Sequence, residues 1–209
     1  MTETTVKVGG NEVNCLVVID PQNDFCPGGA LAVEDGDQIM SSINEMMAAH
    51  DLVVLTQDWH PQGHSSFASS HPGKAPLEMI DMSYGPQVLW PDHCIQGSEG
   101  AGFHPTLDIS RASAIIRKGM NPDVDSYSAF FENDKVTQTG LAGYLREFGC
   151  THLTMAGLAT DFCVAWSALD GAAQGFEVEV RLTSCRAIDF DGSLDAAVKN
   201  MRGAGVKLA

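Results

Sequence analysis

The chain has 209 residues, 44% of them hydrophobic, and sets 12 Lys plus Arg against 27 Asp plus Glu for a formal net charge of −15. That length builds one sizeable core, so a single domain over 1–209 is expected. The acidic balance repels phosphate backbones and anionic bilayers, which argues against nucleic-acid and membrane partners, and no apolar run is long enough to span a bilayer.

Met1 to Gly10 carries one Lys and no apolar core. It reads as a frayed start covering 1–12, not as a signal peptide. The six cysteines are Cys15, Cys26, Cys94, Cys150, Cys163 and Cys185, with no C-x-x-C pair. Without an export signal they are expected as reduced thiols of a cytoplasmic protein.

Cys15 to Asp20 is a continuous apolar run closed by an acid, the pattern of a strand buried on both faces. Pro21 to Gly29 breaks it with turn residues. Gly36 to His50 has helical spacing through Ile39, Ile43, Met46 and Met47. Leu52 to Thr56 is a second buried strand, running into Gln57-Asp58-Trp59-His60-Pro61. From there to about Asp108 the chain reads as one long loop rich in His, Gly, Pro and Ser, and loops of that length are usually functional. Ala112 to Arg117 is a third strand, followed by Lys118-Gly119. Val136 to Phe148 reads as a helix stopped by Gly149. His152 to Ala156 is a fourth strand ended by Gly157, and Leu158-Ala159-Thr160 makes a tight turn. A helix follows to about Gly175, with Thr160 and Asp161 as its natural N-caps. Phe176 to Leu182, a helix capped by Asp191 and running to Met201, and a short strand over Gly205 to Leu208 complete the chain. The recurrent β-α-β alternation predicts an α/β fold: a doubly wound, mostly parallel sheet of about six strands with helices on both faces.

In such sheets chemistry collects at the carboxyl ends of strands. Those ends hold Asp20, Asp58, Lys118 and Cys163. A cysteine in the first turn of a helix meets unpaired N–H groups and the positive end of the macrodipole, which lower a thiol pKa and can hold an oxyanion. Asp20 as base and Lys118 as cation complete an activated nucleophile without histidine. Singly, Asp20 is as readily a turn former, Lys118 a solvated charge and Cys163 a small buried residue. Asp58 and His60, two apart in an extended segment, face the same way and can chelate one ion. With His93 they form a carboxylate and two imidazoles, a set suited to a first-row divalent cation with positions left open. His64, His71 and His104 are further candidates.

Five stretches together resemble the nicotinamidases: Val18 to Phe25 (VIDPQNDF), Gln57 to Pro61 (QDWHP), Trp90 to Cys94 (WPDHC), Arg117 to Gly119 (RKG) and Gly157 to Val164 (GLATDFCV). These are amidases of the isochorismatase-like cysteine-hydrolase fold. The resemblance runs from about Cys15 to Leu208. It implies hydrolysis of nicotinamide to nicotinate and ammonia through a cysteine thioester, in NAD salvage. It implies a catalytic triad of Asp20, Lys118 and Cys163, and one divalent metal per chain (zinc first, iron or manganese as alternatives) held by Asp58, His60 and His93. It further implies aromatic pocket walls at Phe25, Trp90 and Tyr127, a cis peptide at Leu158-Ala159, and an oxyanion hole from the Ala159 and Cys163 N–H groups. Ser66 falls where a residue near a metal-bound water is placed, while His64 and His71 compete for a further ligand position. Homo-oligomerisation and tolerance for analogues such as pyrazinamide stay open. The rival readings are another amide- or ureido-hydrolase of the superfamily and a non-catalytic metal-binding or redox-sensing domain.

Overall fold

The computed structural model describes residues 13–209, so the expectation of a frayed 1–12 lies outside the described residues. Six strands form one parallel sheet: β1 (Cys15–Ile19), β2 (Leu52–Asp58), β5 (Ala114–Lys118), β6 (His152–Leu158), β7 (Glu177–Arg186) and β8 (Lys207–Leu208). Their order across the sheet is β5-β2-β1-β6-β7-β8. Among the described residues four α-helices accompany it: α1 (Met40–Ala49), α2 (Leu141–Glu147), α3 (Ala165–Ala173) and α4 (Ser193–Gly203). No helix among the described residues is long and apolar enough to cross a membrane.

The core follows from the sequence pattern. Every residue of β1 and β2 is buried, as an unbroken apolar run requires of strands covered on both faces. The edge strand β5 instead alternates half-buried and exposed positions up to buried Lys118. β1 is hydrogen-bonded to β2 on one side and β6 on the other. The chain winds outward from β1 through β2 to β5, then crosses to β6, so a topological switch point lies at the carboxyl ends of β1 and β6. Register completes the placement. Asp58 stands opposite Lys118, and Ile19 opposite Gly157.

Several boundaries depart from expectation. The third strand is Ala114–Lys118, so Lys118 is its last residue and not the one beyond. Helix α2 starts only at Leu141. The Asp134 carboxylate accepts the N–H groups of Val136 and Thr137, both at 2.9 Å. This side-chain capture holds the segment in a turn, a known competitor of helix. Gly157 does not end β6; the strand continues to Leu158 through a register irregularity. Only glycine fits there, because φ is +129° and a Cβ would stand 2.1 Å from the Ile19 carbonyl oxygen.

The chain from 61 to 108 is not all loop. It contains an antiparallel hairpin, β3 (Met79–Met82) and β4 (Gly85–Val88). Its strands are four residues each and only one of their positions is buried, too short for periodicity to reveal.

The turn before α3 is also not a capped α-helix start. Residues Thr160–Val164 form a wide turn in which the Val164 N–H reaches the Ala159 carbonyl five residues back, at 3.1 Å. Neither Thr160 nor Asp161 caps it. Helix α4 likewise begins after Gly192, without a side-chain cap from Asp191.

Candidate active site

The expected strand-end residues converge. Asp20, at φ +44°, Lys118 and Cys163 are all buried at the carboxyl ends of β1, β5 and β6. The Lys118 ammonium is the hub. Its Nζ lies 2.9 Å from Asp20 Oδ2, 3.1 Å from Asp58 Oδ1, 2.8 Å from the Ser126 carbonyl and 3.6 Å from Cys163 Sγ. Burial works against its charge, but the Asp20 and Asp58 carboxylates outweigh it and hold the ammonium well above its usual pKa.

Asp20 is anchored by Thr56, whose hydroxyl donates to Oδ1 at 2.6 Å and accepts the Asp20 N–H at 3.0 Å. Oδ2 pairs with Lys118 by distance but has no aligned hydrogen-bond donor. Burial raises the Asp20 carboxyl above the ordinary range, with Lys118 offsetting part of the rise. An ionised carboxylate with one undonated oxygen is a proton acceptor in waiting.

The thiol corrects one expectation. Cys163 was expected to have a lowered pKa. Burial instead pushes it well above its usual value, and Lys118 lowers it only in part against the Asp20 and Asp58 charges. The resting nucleophile is a thiol, and its proton must be taken as the substrate reacts.

Next to this cluster, Asp58 Oδ2 lies 2.9 Å from His60 Nε2 and 3.3 Å from His93 Nε2. The distal nitrogens are oriented from behind. His60 Nδ1 bonds the Gly119 carbonyl at 3.0 Å and His93 Nδ1 bonds the Pro91 carbonyl at 2.8 Å. Each Nδ1 must therefore be the donor, which leaves the Nε2 lone pairs aimed at one carboxylate oxygen. Three electron-rich atoms so arranged repel one another unless a proton or a metal cation sits among them. Burial disfavours charge on His60, yet the Asp58 carboxylate prevails and raises its pKa. The donor set fits a divalent metal ion. Gly119 is required here, since a Cβ would meet His60 Cε1 at 2.5 Å.

The other histidines are hydrogen-bonded within the fold. His64 Nε2 donates to the Asn121 carbonyl at 2.8 Å, while Nδ1 accepts the Ser66 N–H at 3.1 Å and contacts Ser66 Oγ at 2.8 Å. Both ring nitrogens are thus committed within the fold, although His64, His60 and Asp125 lie close enough to form a second group. His71 bonds the Ser65 carbonyl and His104 the Thr106 hydroxyl, and neither joins a ligand group.

Both clusters open into one pocket lined by Phe25, Trp90, Tyr127, Ala159 and Cys163, with Asp58 and His93 at its polar end. The Leu158-Ala159 peptide is cis.

The chain matches the isochorismatase-domain family over residues 14–209. It is 52% identical to a nicotinamidase of Acinetobacter baylyi, covering 93% of this chain and 91% of that protein. Among solved structures it superposes on an Acinetobacter baumanii nicotinamidase/pyrazinamidase with a TM-score of 0.93 at 52% identity, covering 96% of this chain and 97% of that one. It also superposes on the pyrazinamidase of Pyrococcus horikoshii in complex with zinc, with a TM-score of 0.76 at 34% identity over 94% and 98% of the two chains. The chain belongs to the isochorismatase family.

Within this isochorismatase-family site, several residues escaped sequence reasoning. Gln22 is buried and grips Asp58 from both sides, accepting its N–H at 2.7 Å and donating to its carbonyl at 2.8 Å. Phe67, fully buried, sets its ring edge-on to His60 and packs beside His93. Leu31, Asp125, Phe162 and Ile188 complete the pocket lining. Gln22 and Phe162 stand inside quoted motifs and were within reach. The others lie in stretches without a local signal.

Proposed function

We propose that this chain hydrolyses nicotinamide to nicotinate and ammonia, with Cys163 as nucleophile, and that the nicotinate it releases serves NAD salvage. The observation that carries the reading is the Lys118 hub: one buried ammonium touches the base, the nucleophile and the carboxylate of the metal-binding set, and the last two of these line an aromatic pocket.

The chain's residues divide the work as follows. Phe25, Trp90 and Tyr127 sandwich a planar ring. Asp20 Oδ2 takes the thiol proton as sulfur adds to the carboxamide carbon, so thiolate forms only when substrate is present. The oxyanion meets the N–H groups of Ala159 and Cys163. Asp20 returns the proton to the leaving nitrogen, ammonia departs, and a thioester remains on Cys163. Asp20 then draws a proton from water as it attacks the thioester, releasing nicotinate and the thiol. Lys118 stays protonated throughout and favours the ionised form of Asp20 before each proton transfer. Asp58, His60 and His93 would hold a divalent ion, which when bound supplies a Lewis acid that anchors the ring nitrogen. Zinc is the favoured ion, since imidazole and carboxylate suit it, with iron and manganese compatible with the same donors.

Ammonia release from nicotinamide and from benzamide, by the metal-loaded protein, tests the reading. Benzamide has the ring and the amide but no ring nitrogen. It should be cleaved on the order of ten-thousandfold less efficiently, the scale on which a site built to pair a polar group rejects the analogue that lacks it. Equal rates on the two amides would overturn the anchoring role.

A further inference from the structure

The hairpin β3–β4 has one buried residue, and that residue is polar. Along Met79–Met82 and Gly85–Val88 every other position is half-buried or exposed, while Gln87 is 1% exposed. A buried amide costs free energy unless its bonds are made. Gln87 makes them on the wall of the pocket. Its Nε2 donates to Asp125 Oδ2 at 2.7 Å and to the Tyr127 hydroxyl oxygen at 3.0 Å, and it also contacts its neighbour's carbonyl at Val88 at 2.8 Å. At the other end Oε1 accepts from Tyr84 Oη at 3.1 Å and Asn133 Nδ2 at 3.3 Å. The donor end thus faces acceptors and the acceptor end faces donors, so the amide has one orientation. Trp90 Nε1 donates to the same Tyr127 oxygen at 3.1 Å.

We infer that Gln87 is a positioning residue for the ring-binding wall. It pins Tyr127 and Asp125, two pocket-lining side chains, and ties both to Trp90. The hairpin exists in this chain to deliver that amide. An apolar residue of the same volume would bury the hairpin as well but leave the Asp125 carboxylate and the Tyr127 hydroxyl without their shared donor. Gln87 itself touches neither Cys163, Asp20 nor Lys118. Its loss therefore acts on ring binding and leaves the thiol chemistry in place.

This inference rests on the amidase reading, and the experiment separates the two. The full-length, metal-loaded wild type is assayed first; no ammonia from nicotinamide would sink the amidase reading itself. With an active wild type, Gln87→Met keeps the volume and removes the bonds. The expected result is a KM for nicotinamide raised about tenfold, the scale of one or two lost hydrogen bonds, with kcat changed less than KM. Alkylation of Cys163 by iodoacetamide should stay near the wild-type rate. Gln87→Glu should be worse than Gln87→Met, because it turns a carboxylate toward Asp125. Tyr127→Phe should raise KM too, and the double variant Gln87→Met with Tyr127→Phe should raise it by less than the product of the two single effects. Should Gln87→Met fail to fold, Gln87→Asn retracts the same amide by one methylene and should show the same split between KM and kcat. An unchanged KM in a folded Gln87 variant would overturn the inference. So would full multiplicativity with Tyr127→Phe, or a fall in Cys163 alkylation matching the loss of turnover.

Discussion

At the residue scale the decisive facts concern protons. Cys163 was placed correctly at the end of β6, but its thiol is pushed up and not down, because burial outweighs the nearby ammonium. Thiolate formation must then wait for Asp20, whose own carboxyl burial raises above the ordinary range near 4. Two consequences follow with defined sign. Turnover needs Asp20 ionised, so kcat/KM should fall on the acid side at a pH above that of an ordinary carboxylate. The folded state also binds this proton more tightly than the unfolded chain does. Its contribution to stability is therefore present below the unfolded pKa and lost as pH rises through the folded one. A pH profile of kcat/KM, with Cys163→Ala as the inactive control, checks the first point. An acid limb at or below the ordinary carboxylate value would remove Asp20 from the role of base.

At the element scale, the wide turn carrying the nucleophile is braced by the segment after β7 and the start of α4. Asp161 was expected to cap its own helix. Its carboxylate instead accepts the Ile188 N–H at 3.0 Å, the Asp189 N–H at 2.8 Å and the Ser193 hydroxyl at 2.5 Å. One buried side chain therefore joins the turn before α3, the pocket-lining Ile188 and the first residue of α4. A carboxylate can take all three donors; an asparagine presents one oxygen and an NH₂ that meets N–H groups head-on. Asp161→Asn should destabilise the protein by about 2–4 kcal/mol, since it orphans buried donors. Amide exchange should quicken in 187–193 ahead of the rest of the sheet, and KM for nicotinamide should rise as Ile188 loosens. Unchanged exchange in that segment would show that the brace carries no strain-bearing role.

At the scale of the whole molecule, the sheet brings two clusters into contact that the chain order keeps apart. In the sequence the metal set and the nucleophile set are scattered over separate stretches, with no local sign that they touch. In the fold, Lys118 touches both Asp58 and Asp20, because Asp58 and Lys118 are register partners on β2 and β5. The Asp58 charge raises the Cys163 thiol pKa. A divalent ion on Asp58 offsets that charge, so the thiol should ionise more readily with metal than without. Chelation should accordingly abolish nicotinamide turnover and also slow iodoacetamide alkylation of Cys163, and adding back zinc should restore both in wild type but not in Asp58→Ala. Rapid alkylation with and without the ion, at the same rate, would refute the coupling and restore two independent sites.

What could be read along the chain is what local pattern encodes. Apolar runs mark β1 and β2 as strands covered on both faces, and the acids just beyond those runs, Asp20 and Asp58, are marked as strand-end groups. The β-α-β alternation implies a parallel sheet, and a parallel sheet collects those ends on one side. The remainder depends on contacts between residues far apart in sequence. The bonds from Gln22 to Asp58, from Asp161 to Ser193 and from Gln87 to Asp125 span 36, 32 and 38 residues. No periodicity reports a hydrogen bond between distant segments, and a four-residue hairpin strand is too short to show one. The thiol's protonation was hidden for a related reason. A helix terminus is visible in the sequence, but desolvation is a property of everything packed around Cys163, and only the folded chain brings that packing together.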